Sequence, residues 1–284
     1  FSNIAVPAIL QVKVFPAQFW VQFSTSYDFA LAWRYGWVLA ALPLGLLLLL
    51  RGRPVAWPWE SSGVPEEVLR GRLGQVLLGS VTTVAGLTIG LSVLLPLGHL
   101  LSDPRTWTDI WNTLRAGKQA VWSSFWFSAA TATLVSALGL AAARWACLRL
   151  AWLLFFLPGV LLGVVLIFLL NRPGLGWIYG GPGIVLLTLG LRYFALGWEG
   201  TRLAKASMDA DLQTVTDLAG LPWWQRWRHL FLPQAGPALA AVWYVVYLLC
   251  LWDTETVVLV VPPGGETLAL RVFNLLHYGH HAQV

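Results

Sequence analysis

Six long apolar runs, separated by short polar or basic segments, set the pattern of this chain; they lie at about 29–50, 74–98, 121–146, 150–170, 182–198 and 235–261. Crossing a hydrocarbon core takes about 20 helical residues, and most of these runs reach that length. None alternates apolar and polar residues at period 2, and all are longer than the ~10 residues of a membrane barrel strand. Backbone polar groups in lipid must then be satisfied within helices. The pattern predicts an all-α integral membrane protein with about six spans.

Composition supports the same class. Of 284 residues, 57% are hydrophobic and only 11% charged, with a mean hydropathy of +0.67. A soluble domain carries about 25% charged residues, because its surface faces water. The formal net charge is +5 and the pI about 9.5. The basic residues stand singly or in pairs between apolar runs, which fits loop orientation better than a nucleic-acid surface. Arg51, Arg53, Arg70, Arg72, Arg144, Arg149, Arg202, Lys205, Arg226 and Arg228 fall in 51–73, 143–149 and 199–234. Lys13, Arg105, Arg115, Lys118, Arg172 and Arg271 fall on the opposite side. The excess assigns the first three segments to the cytoplasm. Trp33, Trp37, Trp122, Trp177 and Trp198 stand at span ends as interfacial anchors. The segment 102–120, with Trp107 and Trp111 at helical spacing, is expected as an external segment between spans. Cys147 and Cys250 lie in or beside apolar runs and read as inert buried thiols, not a disulfide framework.

The two ends of the chain share a pattern. Val6-Pro7-Ala8 followed by Ser26-Tyr27-Asp28 is matched by Val261-Pro262-Pro263 followed by His277-Tyr278-Gly279. Tyr27 precedes an apolar span, whereas the chain stops soon after Tyr278. Internal repeats are common among transporters. The expected organisation is the tail of one membrane repeat at 1–50, a cytoplasmic linker at 51–73, and a second repeat at 74–284. That second repeat would hold five spans and end before its last.

The segment 199–234 carries the most information. Asp209 or Asp211 can cap a helix with apolar positions Leu212, Val215 and Leu218-Ala219. Gly220 can end it in the left-handed conformation, and Pro222 suits the first turn of a second helix. Trp223, Trp227 and Leu230-Phe231 form an apolar stripe, and Pro233 is expected to stop the second helix before the next span. An amphipathic hairpin of this kind covers a membrane face or fills a groove on a partner.

Here the chain resembles the permease subunits of binding-protein-dependent ABC importers. Their signature is Glu-Ala-Ala, three residues, Gly, then about nine residues to an apolar residue, one more and Leu-Pro. Gly220 and Leu232-Pro233 stand at the matching spacing, and Trp224-Gln225-Arg226 is similar to the basic, aromatic stretch between them. Thr214-Val215-Thr216 occupies the Glu-Ala-Ala position, whose Glu helps contact the ATPase in the family. Ser128-Ala129-Ala130-Thr131-Ala132-Thr133 resembles the second span of such permeases, and Leu157-Pro158-Gly159-Val160 the third. Gly264-Gly265-Glu266-Thr267-Leu268-Ala269-Leu270 with His277-Tyr278-Gly279 is similar to the ferric-iron branch, whose permeases are often two fused repeats.

The resemblance implies the transmembrane domain of a type I ABC importer in a bacterial inner membrane. Its implied partners are a dimer of cytosolic ATP-binding subunits and a periplasmic solute-binding protein, beside membrane lipid, with no nucleic acid. It implies an ATPase-coupling loop containing Gln213, Thr214, Val215, Thr216, Asp217, Gly220, Arg226, Leu232 and Pro233. The chain has no Gly-x-x-x-x-Gly-Lys-Ser/Thr loop, so ATP hydrolysis is expected on a separate subunit and the chain is not expected to be an enzyme.

Charges at membrane depth are functional candidates by default. Arg192, Asp253 and Glu255 are therefore candidates to line a translocation path; for Asp253 and Glu255 the equal alternative is a place at the membrane interface, and for Arg192 a snorkelling side chain near a helix end. Pro158, with Gly159 and Gly163, reads first as permitting close helix packing, with a helix kink at the path as the alternative. His277, His280 and His281 read as a solvated patch, so no metal and no cofactor is expected. A secondary transporter or channel without an ATPase is the alternative function.

Overall fold

The computed structural model describes residues 66–278 apart from 103, 146–149, 210, 212, 213 and 215–217, together with the isolated positions 25, 34, 36, 37, 41, 44, 45 and 49. The run at 29–50, residues 51–65 of the linker expected at 51–73, and the N-terminal half of the Tyr27–Tyr278 pattern thus lie largely outside the described residues. Internal contacts divide the chain into two units, one of Leu50–Arg115 and one containing Ala116–Ala282.

In the first unit, α1 (Glu66–Ile89) bends at Gly74, whose φ of 72° no L side chain adopts easily. The helix continues through a π-turn, Gly90–Leu94, into α2 (Leu95–Ser102). Together they give a span-length apolar helix at Gly74–Ser102.

The helix α3 (Pro104–Ala142) corrects one expectation. Most of the segment 102–120, from Pro104 on, and the following span form one helix, with a span-length apolar stretch at Ile110–Ala142. Pro104 sits at the first helical position, where its missing N–H costs nothing, and no proline follows to break the ladder.

The run at 150–170 is broken. Helix α4 (Ala151–Phe156) ends at Leu157, and α5 (Gly159–Leu170) begins after Pro158. Leu157 and Pro158 have ψ of 139° and 134°, so both are extended. The proline ring disfavours the helical region for the residue before it, which accounts for the break. α5 is apolar all round, and most of it is buried in the protein, as that pattern requires. A one-turn helix α6 (Gly176–Tyr179) leads to α7 (Pro182–Ala206).

The segment expected to end at Pro233 does not. From α8 (Trp223–Arg226) the chain passes through a second π-turn, Trp227–Phe231, directly into α9 (Leu232–Trp252). The Leu232 N–H donates to the Trp227 carbonyl, five residues back. Widening the ladder just before Pro233 makes room for a ring that would otherwise clash with the preceding turn. The first π-turn stands in the same relation to Leu95-Pro96. The apolar helix Trp224–Trp252 is the third of span length, and Gly159–Leu170 is a shorter apolar helix. Among the described residues the helix count falls short of six spans: three helices meet the length and apolarity of a span. The run at 235–261 ends as a helix at Trp252; beyond it lie α10 (Thr254–Val257) and α11 (Leu268–His277).

α7 is the centre of the second unit. Its Ile184, Val185, Leu189 and Tyr193 pack with Phe127, Ala132 and Val135 of α3, Leu162, Leu166 and Leu170 of α5, and Val246 and Cys250 of α9. Gly139 of α3 meets Gly197 of α7 backbone to backbone: a Cβ on Gly139 would come within 2.6 Å of the Gly197 carbonyl. Small residues permit this close crossing. It is fastened by Trp198, whose indole N–H donates to the Ala142 carbonyl at 3.1 Å.

Candidate functional site

Two helix interruptions converge on the middle of α7. Arg192 is ten residues from Pro182, hence ~15 Å along the axis from the start of α7 at 1.5 Å per residue. Its side chain is buried and does not snorkel to an end. The break at Leu157–Pro158 exposes the Gly159 N–H at the start of α5, and the end of α9 delivers Asp253, Glu255 and Thr256.

The guanidinium is held on three sides. Nη2 lies 3.2 Å from Glu255 Oε2, Nε lies 3.5 Å from Asp253 Oδ2, and Nη1 donates to Thr256 Oγ1. Glu255 Oε1 also accepts from Gly159 N–H at 3.1 Å. Asp253 accepts from Tyr193 Oη at 2.8 Å, from Thr256 N–H at 2.9 Å and from Thr256 Oγ1 at 2.7 Å. The Thr256 N–H bond makes Asp253 the N-cap of α10. All five side chains are at most 7% exposed.

Formal charge here is two carboxylates against one guanidinium. The N-terminus of α5 contributes the equivalent of roughly half a positive charge beside Glu255. Every carboxylate oxygen has at least one donor. Such a network is costly to assemble in a dry interior and far more costly to break by halves. It pins α5, α7 and α9 to one another at the points where two of them are interrupted.

Gly159, which the sequence reading assigned first to helix packing, is required by this network. A Cβ there would overlap Arg192 Nη1 and Thr256 Oγ1 and press the Thr256 backbone nitrogen at 2.9 Å. Tyr193 and Thr256 were missed as members. The only signal for them was their adjacency in sequence to Arg192 and Glu255.

The cytoplasm-assigned segment is described in part. Gln213, Val215, Thr216 and Asp217 lie outside the described residues, and Thr214 is exposed. Asp209 Oδ1 accepts from Asp211 N–H at 2.8 Å, and the Asp209 N–H donates to Gln234 Oε1 at 3.0 Å, tying the start of the segment to the base of α9. Gly220 has a φ of 63°, the left-handed turn its position called for. Arg226 Nε donates to the Leu221 carbonyl at 2.7 Å. The aromatic ladder runs Trp224–Trp227–Phe231, with both ring spacings 6.2 Å, so Trp224 joins it. Leu232 and Pro233 are exposed, within the continuous helix. The cytoplasm-assigned segment and the buried charge cluster therefore occupy opposite ends of α9.

Of the three histidines, His280 and His281 lie outside the described residues. Among the described residues no three His, Cys, Asp or Glu side chains are grouped to hold a metal ion.

No family model matches the chain. Curated proteins do. Over 182 aligned residues the chain is 28% identical to the "Putative 2-aminoethylphosphonate transport system permease protein PhnV" of Salmonella paratyphi A and to its namesake in Salmonella typhi, and 27% identical to that of Salmonella typhimurium. The match takes in 57% of this chain and spans 66% of the first of these relatives and 67% of the second. A chain whose described residues form helices and no strand, three of them apolar and of span length, is thus similar, over more than half its length, to transport permeases.

Proposed function

We propose that this chain is the membrane-spanning permease component of an ATP-driven, binding-protein-dependent importer. The similarity to transport permeases carries the reading. The spacing of Gly220 and Leu232-Pro233 supports it independently. The segment 209–233 docks on a cytosolic ATPase dimer, and a solute-binding protein delivers solute on the opposite side of a bacterial inner membrane. Because the second π-turn joins that segment to α9 without a break, a push on Trp223–Phe231 is transmitted along the helix toward Asp253. Arg192, Asp253 and Glu255 then form the latch at the far end of that lever, where packed helices exchange between two arrangements.

For the solute, 2-aminoethylphosphonate, named for the relatives, has better support than ferric iron. The iron assignment rests on the resemblance of 264–270 and 277–279 alone. The organisation into a repeat tail at 1–50, a linker at 51–73 and a second repeat at 74–284 remains part of the proposal.

The test is affinity purification from native membranes with a tag on this chain, followed by mass identification of its partners. A stoichiometric ATP-binding subunit that is lost when Gly220 and Leu232-Pro233 are altered supports the reading. An intact chain that co-purifies with no ATPase overturns it and leaves a secondary transporter or channel.

A further inference from the structure

Arg192, Asp253 and Glu255 are spent on one another in the buried cluster, so a solute path through the membrane needs other polar side chains. A second set stands where α3 and α9 adjoin. Trp243 Nε1 donates to Thr133 Oγ1 at 3.0 Å, from one helix to the other. The Tyr247 ring lies against that of Trp243, with centroids 5.2 Å apart and planes 8° apart. It also stacks on Phe125 of α3 at 6.4 Å and on Tyr244 at 6.5 Å. One hydrogen bond and three ring contacts thus join five side chains into a continuous surface. That surface is open: Thr133 is exposed, and Tyr244 and Phe125 are 56% and 49% exposed. Among the described residues neither the Tyr244 nor the Tyr247 hydroxyl has a hydrogen-bond partner.

Depth is what makes this surface informative. Trp252, 78% exposed at the end of α9, marks the level of the interface, where amphipathic rings settle. Tyr247 and Tyr244 stand five and eight residues before it, hence ~7.5 and ~12 Å further into a hydrocarbon core whose half-thickness is ~15 Å. A phenol facing lipid at that depth has nothing to bond, and an unsatisfied hydroxyl in an apolar medium is costly. Another face of α9 has the opposite character. Val245 and Leu249, one turn apart, are exposed and purely aliphatic, which suits contact with acyl chains. α9 therefore presents two exposed faces of different chemistry at the same depth.

We infer that Thr133, Tyr244 and Tyr247 border a water-filled solute path, with Phe125 and Trp243 as the backing that holds the phenols toward it. Polar side chains within spans face a bundle interior or a water-filled cavity, and these lie outside the packed interior of their own unit. Water satisfies the phenols at rest, and a small hydrogen-bonding solute replaces it in passing. The inference rests on the permease reading, because it names residues along which the solute travels.

The experiment is the reaction of single cysteines with a charged, water-soluble methanethiosulfonate. The purified chain, with its associated subunits, is held in lipid nanodiscs that leave both membrane sides open, and rates are taken with and without ATP. The background is Cys147→Ser, Cys250→Ser. Thr133→Cys, Tyr244→Cys and Tyr247→Cys should each react at least roughly 100-fold faster than Val245→Cys and Leu249→Cys, since the reactive thiolate forms in water and hardly in hydrocarbon. Thr133→Cys leaves every ring in place and keeps the test available if a tyrosine variant misfolds. Rates at the three positions equal to that of Val245→Cys, in both conditions, overturn the inference and assign the face to lipid or to a dry contact with a second copy. The readout needs neither transport nor an ATPase. Fast reaction in a chain that co-purifies with no ATPase removes the importer reading and keeps the water-filled path, whereas slow reaction in a chain that holds its ATPase removes this inference alone.

Discussion

Replacing Arg192 with methionine removes the cation from a buried group that also holds two carboxylates. Asp253 would keep three donors, from Tyr193 Oη, Thr256 N–H and Thr256 Oγ1, at 2.8, 2.9 and 2.7 Å. Glu255 would keep only Gly159 N–H, at 3.1 Å. Breaking a buried ion pair from one side costs about 3–5 kcal/mol, because a charge is left without compensation. At roughly 2–4 °C per kcal/mol, the loss in melting temperature is on the order of 10 °C. The unequal donor counts make a sharper claim. Adding Glu255→Gln to Arg192→Met should recover about half of the loss, since the poorly satisfied charge disappears while an oxygen remains for Gly159. Adding Asp253→Asn should recover little, because that carboxylate was already well served and also caps α10. The assay is thermal unfolding in detergent, read by a thiol-reactive dye at Cys250, which is 5% exposed beside the cluster, in a Cys147→Ser background. Equal or better rescue by Asp253→Asn would refute the reasoning, as would an Arg192→Met chain as stable as the parent.

Two glycines offer contrasting tests. Gly197→Ala places a Cβ 2.8 Å from the Val135 carbonyl oxygen, which belongs to the α3 backbone and cannot turn aside. Overpacking of this kind costs about 1–3 kcal/mol, so the melting temperature should fall by several degrees. Gly220→Ala meets open space, and its cost lies in the backbone alone. An L side chain at φ of 63° costs about 1–2 kcal/mol, less for asparagine, so limited proteolysis at 209–222 should rank glycine, asparagine and alanine in rising susceptibility. Susceptibility unaffected by alanine would show that this turn is not held in its left-handed form.

The membrane class and much of the helix inventory were legible in the order of residues alone. Low charge content leaves only lipid-facing surface, and lipid permits only self-satisfied backbone, so runs such as 74–98 and 182–198 had to be helical. That order also identified Gly220 as a left-handed turn, because so few residues tolerate that conformation. Hydropathy could not decide where helices end. Pro158 broke its run while Pro233 did not, and the difference lies in whether the preceding turn could widen, as it does at Trp227–Phe231. Nor could it decide what the intramembrane charges do. Arg192 is more than 60 residues from Asp253 and Glu255, and only the packing of α5 and α9 against α7 brings the three together. Gly159 shows the limit most plainly: a glycine after a proline reads locally as a packing or kink residue, yet its missing Cβ is the space that the Arg192 guanidinium occupies. Local chemistry is written in neighbours along the chain, whereas excluded volume and charge compensation depend on neighbours that only the folded structure supplies.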